Sequence, residues 1–124
     1  MSTSKLLVVD DSHSVRVQVT RILTGAGYEV ITAADGHEAL DLLRHEPHLM
    51  VLDVNMPGLD GYSVCEKLKG MGSDYQELPI VFLTCMNTRA LELLGREFGA
   101  YLQKPVSESD LLNAVRTQLE HVAQ

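Results

Sequence analysis

Apolar residues along this chain fall into two alternating patterns. Short runs that are apolar or alternating appear at Lys5–Val9, Tyr28–Ala33, His48–Leu52, Pro79–Thr84 and Ala100–Gln103. Unbroken runs bounded by turn residues predict strands buried on both faces. Tyr28–Ala33 alternates instead, which suits a strand at the sheet edge. Between the runs the apolar positions recur at helical spacing. Val15, Val19, Ile22 and Leu23 share one face, with Ser12 or Ser14 as cap and Gly25 or Gly27 as stop. Asp35-Gly36 opens a helix carrying Ala39, Leu40 and Leu43, which Pro47 terminates. Asp60 starts one with Val64 and Leu68 inward, fraying through Gly70 and Gly72. Asn87 or Thr88 caps one with Leu91, Leu94 and Phe98, closed by Gly99. Ser107 caps the last, whose inner stripe is Leu111, Leu112, Val115, Leu119 and Val122.

Five strand–helix pairs in strict alternation predict an α/β fold, a doubly wound parallel sheet with helices on both faces. Each right-handed crossover needs a helix to return the chain. Ligands bind such sheets at the carboxyl ends of the strands, where strand order reverses. Asp10, Asp11, Asp53, Thr84 and Lys104 each close or directly follow one of the predicted strands. Five polar residues are thereby directed to one rim. Asp53 stands out, because it ends an apolar run abruptly and is followed by Val54-Asn55-Met56-Pro57-Gly58. A charge half desolvated there costs several kcal/mol unless something compensates it.

Composition narrows the field. A chain of 124 residues suits one domain, expected to span 1–124. A net charge of −7 argues against direct grip on nucleic acid. No apolar run approaches a membrane span, and the N-terminus lacks a signal-peptide pattern. Cys65 and Cys85 make neither a disulfide framework nor a zinc site, so the reducing cytoplasm is the expected compartment.

Two carboxylates ~4 Å apart repel by roughly 4 kcal/mol at an effective dielectric of 20. Asp10, Asp11 and Asp53 therefore need protons, pairing or a cation, and Lys104 offsets one charge. What remains is a hard-oxygen pocket suited to Mg²⁺. A divalent ion, a carboxylate, a lysine and a threonine are the parts of a phosphoryl-transfer site, with the carboxylate attacking in line to form an acyl phosphate. The plainer alternatives are a helix-capping Asp53, a metal-free acidic rim and a β-branched strand threonine.

The acidic pair, Asp53 within Leu-Asp-Val-Asn-Met-Pro-Gly-Leu-Asp-Gly, Thr84 after Phe-Leu, and Lys104-Pro105 together resemble a bacterial response-regulator receiver domain. The resemblance runs from about Lys5 to Val122. It implies the flavodoxin-like receiver fold with strand order 2-1-3-4-5. It also implies that Asp53 accepts phosphate from a histidine kinase or phosphotransfer protein, with Mg²⁺, or Mn²⁺ in its place, as cofactor. Asp11 would then be a direct ligand and Asp10 largely a water-mediated one. Asp53 and the backbone carbonyl of Asn55 would complete the protein ligands. Lys104 would contact the phosphoryl group, and Lys104-Pro105 would be cis. On phosphorylation Thr84 would move toward the phosphoryl group and Tyr101 would turn inward, remodelling the surface of the fourth helix, fifth strand and fifth helix. That surface would serve an effector protein, a covalently linked output domain or a homodimer. Leu91, Leu93 and Leu94 cannot all face inward from one helix, which fits a partner face as well as scattered surface leucines.

The chain departs from the family pattern in places. Cys85 follows the threonine where a small residue is usual, which would narrow access to Asp53. The segment before Tyr101 is shorter than the common form and lacks its acidic residues. Met86 is apolar where many relatives are polar. With Met86 and Asn55 flanking the site and no added general base, a long-lived phospho-Asp53 is expected. Competing classes fit less well. An aspartate-nucleophile phosphohydrolase of the haloacid dehalogenase kind needs a second Asp where Asn55 stands. A flavodoxin-like flavin binder needs a neutral phosphate loop where Asp10-Asp11 stand. A degenerate receiver acting only as an interaction module is the remaining alternative, and all five rim residues are present. The histidines show no ligand spacing and read as surface residues, with no role assigned to His48.

Overall fold

The structure is a computed structural model that describes residues 3–56, 58, 61–71, 78–84 and 99–123. In chain order these form β1 (Lys5–Val9), α1 (His13–Gly25), β2 (Glu29–Ala33), α2 (Gly36–Leu42), a 3-10 turn (Leu43–His45), β3 (Leu49–Asp53), α3 (Gly61–Lys69), β4 (Ile80–Thr84), β5 (Gly99–Gln103) and α4 (Glu108–Ala123). The helix expected from Asn87 or Thr88 to Phe98 lies outside the described residues, as do Pro57, Asp60, Gly72, Cys85 and Met86. The fifth helix of the sequence is thus α4 here.

All four strand pairings are parallel, and the order is β2-β1-β3-β4-β5. From β1 the chain steps outward to β2, then returns past β1 to β3. The reversal falls between β1 and β3, so their carboxyl ends flank the crevice. Every residue of β3 and β4 is buried, as continuous apolar runs covered on both faces should be. Edge strand β2 is only partly covered, in keeping with its alternating sequence.

Strand alternation divides the core into two layers. Leu7, Val9, Met50, Leu52, Ile80 and Phe82 face the side packed by Ala39, Val64 and Leu68 of α2 and α3. Leu6, Val8, Leu49, Val51, Val81 and Leu83 face Val19 and Leu23 of α1 and Leu111 and Val115 of α4.

Local signals explain the element ends. Ser12 caps α1 through its hydroxyl to the Val15 N–H, and Asp35 caps α2 by accepting from the Glu38 N–H at 2.8 Å. The Ser107 hydroxyl accepts from Asp110 N–H at the start of α4. One boundary differs from expectation. Leu43 is buried, but regular α-helix stops at Leu42, tightens into the 3-10 turn and ends with Glu46 left-handed at φ 54°. Pro47 disfavours right-handed helix at Glu46, so the helical turns end before it. His48 also gains a role: its Nδ1 accepts the Lys5 N–H at 2.9 Å, joining β1 to β3 at the end of the sheet away from the crevice.

Candidate functional site

The alternation that sends Leu6 and Val8 toward α1 and α4 continues to Asp10. Leu49 and Val51 do the same for Asp53, and Leu102 for Lys104. The ladder extends just past the strands and holds these positions. The Asp10 N–H donates to the Ala33 carbonyl at 3.2 Å, Val54 N–H to Leu83 at 2.9 Å and Lys104 N–H to Thr84 at 2.7 Å. The crevice residues are therefore carried on sheet backbone.

At the crevice the Lys104 ammonium donates to Asp10 Oδ2 at 2.6 Å and lies 3.3 Å from Asp53 Oδ1. The Lys104-Pro105 peptide is cis. Asp10 is fully buried, Asp53 is 2% exposed and Asp11 is exposed. Carboxylate oxygens of all three lie within 4.8 Å of one another. Asp10 Oδ1 accepts the Ser12 N–H at 2.9 Å, and Asp53 Oδ1 accepts the Asn55 N–H at 3.2 Å.

Burial pushes the Asp53 carboxyl up, and the negative charge of Asp10 adds to it. The Lys104 charge and the Asn55 N–H oppose them, leaving Asp53 at about 6 against an ordinary 3.8. Burial works against the Lys104 ammonium. The hydrogen bond to Asp10 and the charge of Asp53 outweigh it and hold Lys104 above the usual lysine range.

The donor set fits a hard divalent cation. Three carboxylates against one ammonium leave a crevice of two formal negative charges, two of whose carboxylates are buried. Asp10, Asp11 and Asp53 are the residues that could hold it, with the exposed Asp11 as the open side.

Thr84 is fully buried at the end of β4, one residue past the partner of Asp53 in the β3–β4 register. Tyr101 is half-buried opposite Phe82 and packs on the α2/α3 side of the core. Thr84 thus closes the strand beside Asp53, while Tyr101 packs on the α2/α3 side of the core.

Two contributors escaped the sequence reading. Arg16 Nη1 donates to the Asp10 main-chain carbonyl at 2.6 Å. Gly61 opens α3 so close to β3 that an added Cβ would lie 2.8 Å from the Asp53 carbonyl oxygen and 2.9 Å from Val54 Cα. Asp60-Gly61 was a visible signal for a tight helix start. Arg16 carried none beyond its place on the first turns of α1.

Comparison with known proteins agrees with this geometry. The family model for the response regulator receiver domain matches residues 6–116. The probable transcriptional regulator ycf27 of Cyanophora paradoxa is 43% identical over 122 residues, covering 96% of this chain and 49% of that protein. Response regulator MprA of Mycobacterium tuberculosis H37Rv is 43% identical over 118 residues, covering 93% of this chain and 50% of MprA. The chain therefore spans about half the length of the curated relatives it matches. Among solved structures, chemotaxis protein CheY4 of Vibrio cholerae superposes with a TM-score of 0.85 at 36% identity, covering 94% of this chain and 98% of CheY4. A response regulator structure from Chloroflexus aurantiacus gives 0.86 at 36% identity, covering 96% and 99%. With the five-stranded order, the acidic crevice and these matches in agreement, the chain belongs to the response regulator receiver domain family.

Proposed function

We propose that this domain is the phospho-acceptor of a two-component relay, and that Asp53 receives the phosphoryl group. The observation that carries the proposal is the Lys104 ammonium set between buried Asp10 and Asp53, with Asp11 alongside.

Asp53 is a carboxylate nucleophile. With a pKa of about 6 it is mostly ionised at pH 7, yet more basic than an ordinary aspartate. One of its oxygens attacks the phosphorus of a phosphohistidine on the donor kinase or phosphotransfer protein. The P–O bond forms as the P–N bond breaks, and the imidazole leaves with the electron pair. Lys104 is close enough to Asp53 Oδ1 to follow the incoming group and neutralise part of its charge. The Thr84 hydroxyl donates a hydrogen bond to a phosphoryl oxygen. Asp10, Asp11, Asp53 and the Asn55 backbone carbonyl hold Mg²⁺, with Mn²⁺ as substitute. When bound, the ion supplies charge neutralisation to the phosphoryl oxygens. Asp10 keeps its place through the Ser12 N–H and Lys104.

The output is a population shift in which Thr84 and Tyr101 move together, limited by how much better the phosphorylated site suits the active arrangement. The surface it changes includes β5 and α4 and serves an effector, a linked output domain or a second copy of the chain. The test is intact mass after acetyl phosphate and Mg²⁺. The native chain should gain one phosphoryl group and Asp53→Ala none. Labelling that persists in Asp53→Ala, or is absent from the native chain, would overturn the proposal.

A further inference from the structure

Arg16 sits outside the charged crevice but holds its floor. It is half-buried on the first turns of α1, and its Nη1 donates to the main-chain carbonyl of Asp10 at 2.6 Å. Asp10 is otherwise tied by its N–H to Ala33, by Oδ1 to the Ser12 N–H and by Oδ2 to Lys104. Both carboxylate oxygens thus have partners, while the peptide that carries Asp10 into Asp11 is fastened to α1 by the guanidinium. The carbonyl that Arg16 grips belongs to the peptide unit joining the two acidic residues. Releasing that peptide would let the main chain between the two residues shift, and with it the exposed Asp11 relative to the tied Asp10 and to Asp53.

We infer that Arg16 is a positioning residue for the acidic pair, setting the relative orientation of Asp10 and Asp11 and hence cation affinity. The inference rests on the metal-binding part of the proposal above. A guanidinium near an acidic crevice has two opposite effects, and they differ in sign. As a positive charge alone Arg16 repels a cation, so removing it should tighten Mg²⁺. As the clamp on the Asp10 carbonyl it preorganises the ligands, and removing it should loosen Mg²⁺. Partners that orient metal ligands are worth about tenfold or more in affinity, whereas a partly exposed charge is screened. The clamp therefore dominates.

Mg²⁺ affinity measured by calorimetry on the native chain, Arg16→Met and Arg16→Lys tests this. Methionine keeps the aliphatic stem and good helix propensity while removing the donor. Lysine keeps a charge and a donor able to make the single bond seen here. Arg16→Met should weaken Mg²⁺ by roughly tenfold, and Arg16→Lys should recover most of the loss. Arg21→Met, a charge removed from the same helix, serves as the control and should leave affinity within about twofold. Unchanged or tighter binding in Arg16→Met would overturn the inference. Acetyl phosphate labelling of the native chain separates the two claims. A chain that binds Mg²⁺ but takes up no phosphoryl group refutes the phospho-acceptor proposal, and the Arg16 inference is still decided by the cation titration.

Discussion

Lys104 and Asp10 are 94 residues apart in sequence, yet the ammonium of one donates to the carboxylate of the other at 2.6 Å. The pair spans the sheet from the end of β5 to the end of β1, across the ends of β4 and β3. Asp53 lies beneath the same ammonium at 3.3 Å. One cation thus serves two buried anions, and the crevice keeps an excess of negative charge.

Removing that cation should be costly without a metal. In Lys104→Met, Asp10 and Asp53 lose their shared counter-charge while remaining buried. Breaking a buried pair by deleting one partner typically costs about 3–5 kcal/mol. Urea unfolding in EDTA should show a loss of that order, and added Mg²⁺ should stabilise this variant more than the native chain. Equal stability of the two chains in EDTA would show that Lys104 does not carry this charge balance.

The raised Asp53 pKa predicts a pH dependence of defined sign. Its folded value is about 6 and its ordinary value 3.8, so between those values the folded chain holds a proton that the unfolded chain has lost. Asp53 therefore contributes a loss of stability that develops as pH rises from about 4 to 6. A shift of this size corresponds to at most about 3 kcal/mol. Without divalent cation, Asp53→Asn should be more stable than the native chain at pH 7, and the gain should disappear near pH 4. Saturating Mg²⁺ should shrink it. Denaturant titrations across this range would check both.

Gly61 should tolerate no side chain. In Gly61→Ala the new methyl would meet the Asp53 carbonyl oxygen at 2.8 Å and Val54 Cα at 2.9 Å, both backbone atoms of the strand that presents Asp53. Overpacking of this kind costs about 1–3 kcal/mol, and displacement of Asp53 should lower Mg²⁺ affinity as well. Gly70→Ala, where the added methyl meets only the Lys67 carbonyl at 3.6 Å, should leave both unchanged. Thermal unfolding and calorimetry on the two variants would distinguish a local clash at the start of α3 from a general intolerance of added methyls at its two ends.

Asp35→Ala separates stability from chemistry. It removes the 2.8 Å cap on the Glu38 N–H, at a cost of about 1 kcal/mol. The cap bonds within the first turn of α2, so Mg²⁺ affinity and acetyl phosphate labelling should match the native chain. Loss of labelling at unchanged fold would place α2 in the site.

Much of this was legible in the linear pattern. Apolar runs at Leu6–Val9, Leu49–Leu52 and Ile80–Leu83 could be buried only as central strands, and they are. The polar residues ending those runs could lie only at the rim. Which rim residue touches which was not legible. Lys104 is expected from its sequence position to offset one carboxylate charge, and the structure gives it two partners, Asp10 at 2.6 Å and Asp53 at 3.3 Å. Arg16 and Gly61 escape the linear pattern and His48 has no role in it, because each acts on backbone belonging to another segment: the Asp10 carbonyl, the Asp53 peptide and the Lys5 N–H.

By itself, then, the sequence determined the alternation of strands and helices, the membership of the core and the acidic character of the crevice. These follow from local periodicity and residue type, which act over a few positions of chain. Tertiary structure decided the pairing of Lys104 with Asp10, the grip of Arg16 on the acidic pair and the close approach of Gly61 to β3. Those contacts depend on sheet register and on how helices seat against it. They bring into hydrogen-bond or van der Waals range atoms that local periodicity does not place together.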